Sequence, residues 1–310
     1  MKYENFEDFI SNLDTDNNAI MQKWVQLSEK KRKASSITFM IILIVDVCIF
    51  LMLRSISIFA IVPIFIIDIF IFIISQIVSG NKEIIEFNKE YKEKVIDKML
   101  QNFIDELDYV PLKSLPSHIY DEARYGGHYN RYYSDDYFEG KINNQKIVMA
   151  DLLVQEETKK KDKDGNETTE TTTIFNGLFG KINLDKSINS NLNITRDYGF
   201  SLFNKQKLEM DSYEFEKRFN VYTDNNIIAM QLLTADIQED ILNLYDRYKI
   251  DFHIIIMHNK MYILFNTGSM FEVFSSKNDP NEVLEKYFDI MKFIYKLVNK
   301  VLNTIESTQI

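Results

Sequence analysis

One cysteine, four prolines and nine glycines are all that this chain of 310 residues contains of those types. A lone thiol, Cys48, cannot close a disulfide within the chain, so nothing requires an oxidising compartment. The four histidines, His118, His128, His253 and His258, show neither HxxxH nor HExxH spacing, and no cysteine supports them. No zinc or other metal site is therefore expected. A Gly-rich phosphate loop, a GxSxG elbow and a cysteine nucleophile are all missing, so no catalytic residue and no cofactor are assigned. Net charge is −10, against the clustered Lys and Arg that phosphate backbones demand, which excludes a general nucleic-acid binder. Ile, Asn and Lys are abundant while Gly and Pro are scarce. That pattern fits a coding bias and drains meaning from Asn or Lys richness.

What is present is apolar sequence, concentrated between residues 37 and 78. Residues 37–53 are apolar except for Thr38 and Asp46, and residues 56–78 form a second run interrupted mainly by Pro63 and Asp68. About 20 helical residues cross a hydrocarbon core of roughly 30 Å, with about 17 tolerated. Each Leu, Ile, Phe or Val contributes roughly −0.3 to −0.6 kcal/mol, and a central Asp costs about 2.5 to 3.5. With 17 such residues the second run inserts comfortably; with 12 the first does so by a small margin. Only Arg54 and Ser55 separate them, so the chain turns straight back and both flanks lie on one side. Lys30, Lys31, Arg32 and Lys33 precede the pair and Lys82 follows it, against Arg54 alone in the turn. The excess of positive charge places both termini in the cytoplasm. More than thirty polar residues come first and no small-residue cleavage pattern follows, so a removable leader is not expected. Asp46 and Asp68 fall at similar depths. They read as protonated, hydrogen-bonded staples of the hairpin or of an oligomer, or alternatively as a functional carboxylate pair lining a path through several copies.

The flanks carry helical periodicity. Residues 1–34 place Phe6, Phe9, Ile10, Leu13, Ile20, Trp24 and Leu27 on an apolar face, with a break near 14–18. Residues 81–107 repeat Ile84, Ile85, Phe87, Tyr91, Val95, Met99, Phe103 and Leu107 at helical spacing, a stalk continuing the second membrane helix and packing on the first. Pro111 and Pro116 then mark a linker. Beyond it the pattern alternates: strands are expected over 136–142, 146–157 and 168–184, the last two joined by the charged tip KKKDKDGNE, with short strands at 208–210 and 220–223. Asp211 and Glu214 suggest a capped turn of helix. Helix is expected over 225–248 with a break near Thr234, a hairpin over 252–265 turning at His258 and Asn259, and a closing helix from Asp279-Pro280 to about Thr304. The fold class is α+β: an N-terminal segment 1–34, a transmembrane hairpin 35–79, a helical stalk 80–110 and a soluble α+β domain 111–310.

Two clusters could carry chemistry. Asp135, Asp136, Glu139 and Asp151 fall on strands expected to pair; grouped carboxylates can do acid–base work or hold a divalent cation, though solvated strand ends look the same. Residues 120–133 (YDEARYGGHYNRYY) interleave tyrosines with arginines, a pattern that can stack single-stranded nucleic acid, but packing or protein contact suits an acidic domain better. His253 and His258, five apart on a hairpin, should face opposite sides.

Residues 133–151 (YSDDYFEGKINNQKIVMAD), 174–180 (IFNGLFG), 214–223 (EFEKRFNVYT) and 229–234 (AMQLLT) together resemble the bacterial family called domain of unknown function 3137. The likeness runs in order over roughly residues 85–275, with Met210-Asp211-Ser212 a mild departure from the family's L-E-S. It implies a fold and a membrane setting but no activity, and it hints at a LemA-type membrane protein as partner. The sequence as a whole points to a multi-pass protein of the inner (plasma) membrane. It would act as a membrane-anchored binding or scaffold protein, with the lipid bilayer and a protein partner or homo-oligomer as its contacts. The alternative is a membrane-linked enzyme using the acidic cluster.

Overall fold

The computed structural model describes residues 1–13, 15–52, 81–161, 167–197, 207–271 and 279–307. Two compact units emerge: one of residues 1–12, 96–271 and 284–310, the other of residues 13–95 and 272–283. The arrangement is mixed α+β, as expected from a chain that switches from 3.6-residue to two-residue periodicity.

In the smaller unit, helix α2 (Thr15–Met52) is joined by α3 (Asn81–Tyr91) and a π-helical turn (Lys92–Ile96). Lys23 meets Glu90 at 2.9 Å and Lys30 meets Glu83 at 2.8 Å. Residue numbers rise along one helix as they fall along the other, so α2 and α3 run antiparallel. Trp24 packs edge-on to Tyr91 at 5.3 Å and to Phe87 at 6.5 Å, and all three rings are buried. The exposed ion pairs add little stability by comparison with this aromatic contact.

Further along α2, Ile37, Phe39, Met40, Ile41, Leu43 and Ile44 are each 50–61% exposed. Among the described residues no helix is long and apolar enough to cross a membrane. The expected second apolar run, 56–78, lies outside the described residues together with Arg54 and Asp68. Of Asp46, Lys31 and Lys82 only the helical backbone is described.

The larger unit begins with α1 (Phe6–Ser11) and, among the described residues, is built on a sheet of seven antiparallel strands: β1 (Asp105–Val110), β2 (Arg131–Ile142), β3 (Gln145–Lys161), β4 (Glu167–Arg196), β5 (Lys207–Leu208), β6 (Phe219–Thr223) and β7 (Phe252–Phe265). Their order is β1-β2-β3-β4-β6-β5, with β7 also on β4. β4 pairs with β3 over its first half and with β6 at Leu192–Arg196, while β7 follows its other edge from Leu178↔Phe265 to Ile194↔Ile254. Side chains alternate across the sheet. On one face Ala150, Leu152, Val154, Phe175, Phe179, Tyr262 and Leu264 form a buried cluster. The helical turn α5 (Ser117–Asp121) and the tyrosines after it cover that face: Tyr120 packs on Phe175 at 6.2 Å and on Phe179 at 5.5 Å. On the opposite face Phe252 and Phe265 each lie 6.1 Å from Phe293 of the closing helix.

The other helices of this unit are α4 (Asp97–Leu100), α6 (Tyr213–Glu216), α7 (Asn226–Leu232), α8 (Ala235–Tyr248) and, from Leu284 onward, the long α9 (Pro280–Ser307). Asn225 caps α7 by accepting from Ile228 N–H at 3.3 Å, and Asp279 accepts from Asn281 N–H at 2.7 Å at the start of α9. Arg247 joins α8 to α9 through Asp289 at 2.8 Å and Glu285 at 2.7 Å. Phe6, Phe9 and Phe103 crowd the Phe288 ring at 5.0–5.7 Å, and Asn102 fastens the N-terminus by accepting from Lys2 and Tyr3 N–H through its Oδ1 and donating to the Tyr3 carbonyl.

Several expectations need correction. The stalk helix stops at Leu100, because from Asp105 onward the backbone pairs with Lys141 and Glu139 of β2; Phe103 and Leu107 satisfied helical spacing by coincidence. Residues 252–265 are one strand instead of a hairpin. Both halves pair with β4, and His258, at φ 55°, marks a bulge between them instead of a reversal. Ser212, instead of Asp211, caps α6, accepting from Phe215 N–H at 3.3 Å. The tip at 162–166 lies outside the described residues, although Lys161 pairs with Glu167 on either side of it.

Gly177 sits in β4 at φ +146°, where an added Cβ would collide with the Phe265 carbonyl and lie 2.6 Å from Thr267 N. Only glycine adopts that conformation readily. Gly177→Ala is expected to destabilise the protein by about 3 kcal/mol or more, read as a lower thermal midpoint or as insoluble expression.

Candidate functional site

Three of the four carboxylates singled out by sequence come together. β2 and β3 pair in register at Asp135↔Asp151, and the next partners are Phe138↔Met149, so β2 carries one extra residue. Asp136 occupies this bulge at φ 48°, with its N–H donating to the Pro111 carbonyl at 2.8 Å. A left-handed residue within a bulge re-aims its side chain, which is how two sequential aspartates reach one place. One oxygen from each of Asp135, Asp136 and Asp151 lies within 4.8 Å of the others. Glu139 is not among them; its Oε2 accepts from the Tyr137 hydroxyl at 2.6 Å.

Asp136 is fully buried and Asp151 is 5% exposed. Tyr109 of β1 donates to Asp136 Oδ1 at 2.6 Å. Asp151 Oδ2 accepts from Met270 N–H at 2.8 Å and from Ser269 Oγ at 3.1 Å, whereas its Oδ1 accepts nothing among the described residues. Burial pushes the Asp151 carboxyl up to about 7; the Met270 and Ser269 hydrogen bonds oppose this, and the charges of Asp135 and Asp136 add to it.

Ser269 and Met270 arrive on the loop after β7. Gly268 N–H donates to Asn176 O at 3.2 Å, and the loop crosses β4 closely only because Gly177 has no side chain. Phe271 closes the loop against Tyr109 and Phe138, each at 6.3 Å. Such a group of oxygens can share a proton or ligate a hard cation. The donors Ser269, Met270 and Tyr109 were not predicted from sequence. The Thr267-Gly268-Ser269 turn is visible there, but nothing local says that it reaches β3.

The remaining expected residues are dispersed. Lys30 pairs with Glu83, Lys33 with Glu29 at 3.6 Å, and Arg32 is exposed. His118 and His258 are exposed, His128 pairs with Glu156 at 3.4 Å, and His253 is buried. The tyrosine-rich segment packs on the sheet. Beside it Glu122 Oε2 accepts from Lys260 at 2.7 Å, Lys181 at 2.8 Å and Tyr262 at 3.1 Å. The two ammonium groups hold that carboxyl down at about 2.

With this geometry in hand, comparison with known proteins is informative for one segment. Residues 173–302 match the family described as protein of unknown function DUF3137. The likeness to DUF3137 covers that segment. The DUF3137 match takes in the 174–180, 214–223 and 229–234 motifs and reaches into α9, but it begins after the 133–151 motif that holds Asp135, Asp136 and Asp151. No functionally curated protein is detectably similar in sequence. Among solved structures, the crystal structure of the mycobacterial trehalose monomycolate transport factor A is similar at 11% identity and a TM-score of 0.36, covering 63% of this chain and 88% of that one. Likeness at that level assigns neither fold nor activity.

His253 gives a pH prediction. Its ring contacts the Tyr125 hydroxyl through Nε2 at 3.3 Å, its Nδ1 has no partner among the described residues, and burial lowers its pKa from 6.5 to about 4. Between those values the unfolded chain binds more protons, so stability is present above pH 6.5 and is lost on acidification through about 4. His253→Leu should flatten the stability–pH curve in that window by about 2–4 kcal/mol; denaturant titrations giving the parent's slope would contradict it.

Proposed function

We propose that the chain is a membrane-anchored binding or scaffold protein. Residues 37–53 and 56–78 cross the bilayer as a hairpin, and both termini and the α+β unit lie on the cytoplasmic side. The observation that carries this reading is the exposed apolar stretch of α2. Six consecutive-turn side chains from Ile37 to Ile44 are half or more exposed, and water does not favour such a patch.

Connectivity supports the same reading. Lys30 and Glu83 mark where α3 lies alongside α2, yet α2 continues to Met52, roughly 33 Å further at about 1.5 Å per residue. Residues 53–80 connect the two helices, and 19 of these 28 are Ala, Val, Ile, Leu or Phe, with Arg54 and Asp68 as the charged ones. The apolar residues 37–53 account for about 25 Å of that distance, the short end of what a roughly 30 Å hydrocarbon core tolerates. Asp46 and Asp68 are then carboxyls within lipid, neutral and hydrogen-bonded across the hairpin or between copies.

A binding role is favoured by the β3–β4 ribbon. Among the described residues, 158–160 and 168–170 pair only with one another and are exposed, a projecting platform suited to protein contact. A LemA-type membrane protein or a second copy of this chain is the partner proposed.

The test is extraction and labelling of the full chain. It should stay with membranes through alkaline carbonate. In a Cys48→Ser background, Lys33→Cys and Lys159→Cys should both react with an impermeant maleimide in inverted vesicles only, and Ser55→Cys in right-side-out vesicles only. Release by carbonate, or labelling of Lys33→Cys and Lys159→Cys from opposite sides, would overturn the proposal.

A further inference from the structure

Three carboxyl groups with oxygens within 4.8 Å of one another repel in their charged forms unless something neutralises them. The geometry therefore poses a question independent of the membrane reading: what occupies the space between Asp135, Asp136 and Asp151?

Two observations point to a ligand. Every side chain in the group offers carboxylate oxygen, the donor that hard cations prefer, and among the described residues the group includes no His or Cys that would suit zinc. Separately, Asp151 is 95% buried by its 5% exposure, and its Oδ1 accepts no hydrogen bond although Oδ2 accepts two. A buried carboxylate oxygen with nothing donating to it is costly, and a cation satisfies it directly.

The spacing fits. Oxygens ligating one Ca²⁺ at 2.3–2.6 Å sit up to about 5 Å apart, and around Mg²⁺ at 2.0–2.1 Å up to about 4.2 Å. Separations up to 4.8 Å suit the larger ion better. Access is available at Asp135, which is less buried than the other two and opens the group toward water for the rest of the coordination shell. The surrounding donors hold the ligands in place: Tyr109 fixes Asp136 at 2.6 Å, and Met270 N–H with Ser269 fixes Asp151.

We propose that Asp135, Asp136 and Asp151 bind one hard divalent cation of the Ca²⁺ or Mg²⁺ class, which ties the β2 bulge to β3 beneath the 266–271 loop.

The test uses the full chain in detergent, stripped with chelator and then titrated separately with Ca²⁺ and Mg²⁺ while thermal unfolding is followed. At a free concentration about a hundred times the Kd, the midpoint should rise by about 5 °C or more. Asp135→Asn, at the open rim, should fold normally and lose most of the rise. Asp151→Asn, which keeps the shape and supplies an amide N–H to the neighbouring carboxylates, should raise the midpoint of the stripped protein and abolish the response. No rise with either ion, or an undiminished rise in Asp135→Asn, would overturn the proposal, and the Asp135→Asn result stands even if Asp151→Asn fails to fold.

Discussion

The constraint on which the larger unit depends is that β4 is hydrogen-bonded along both edges. Around Leu178–Asn183 it has β3 on one side and β7 on the other, and around Leu192–Ile194 it has β6 and β7. A strand enclosed in this way cannot slip by one residue without turning its whole buried set to the wrong face. Phe175 and Phe179 are thereby held beneath the Tyr120 layer, and Leu178 and Ile182 on the side of α9. Each buried side chain of this size contributes about 1.5–3 kcal/mol, so correct register is enforced by many such terms at once.

The same strand explains the carboxylate group. β3 lies on one edge of β4, so Asp151 sits opposite Leu178; β7 lies on the other, so the loop leaving Phe265 must cross near Gly177. That crossing delivers the Met270 N–H and the Ser269 hydroxyl to Asp151. A group that keeps two buried aspartates together against their mutual repulsion is supported from three directions: the bulge in β2, Tyr109 on β1, and this loop. Glu122 shows the contrasting solution, in which two lysines and a tyrosine converge on one carboxylate and neutralise it within the protein. No comparable cation is seen among the hydrogen-bond partners of Asp151.

Much of this organisation is legible in the sequence. Strong alternation placed strands over 146–157 and 168–184, and Asp279-Pro280 announced the closing helix through a cap and a fixed φ. Those signals are local, and local physics decides them. The pairing of Asp135 with Asp151 could be anticipated because only a short turn, Asn143-Asn144, separates their strands. The contribution of residues 266–271 could not, since it depends on β7 joining β4 across most of the domain. Residues 252–265 misled for a related reason: burial at both ends and exposure at His258 and Asn259 fit a hairpin and a bulged strand equally well, and the partner decides between them. Helical spacing through Phe103 and Leu107 failed because sheet pairing by Asp105–Val110 outweighed it.

Amide hydrogen exchange of the full chain in detergent tests the central role of β4 most directly. Amides of residues 178–183, enclosed by β3 and β7, should exchange with the slowest rates in the larger unit, by opening of the whole sheet, while those of residues 168–173 in the ribbon exchange orders of magnitude faster. Equal rates for the two halves of the strand, or fast exchange at 178–183, would contradict the account.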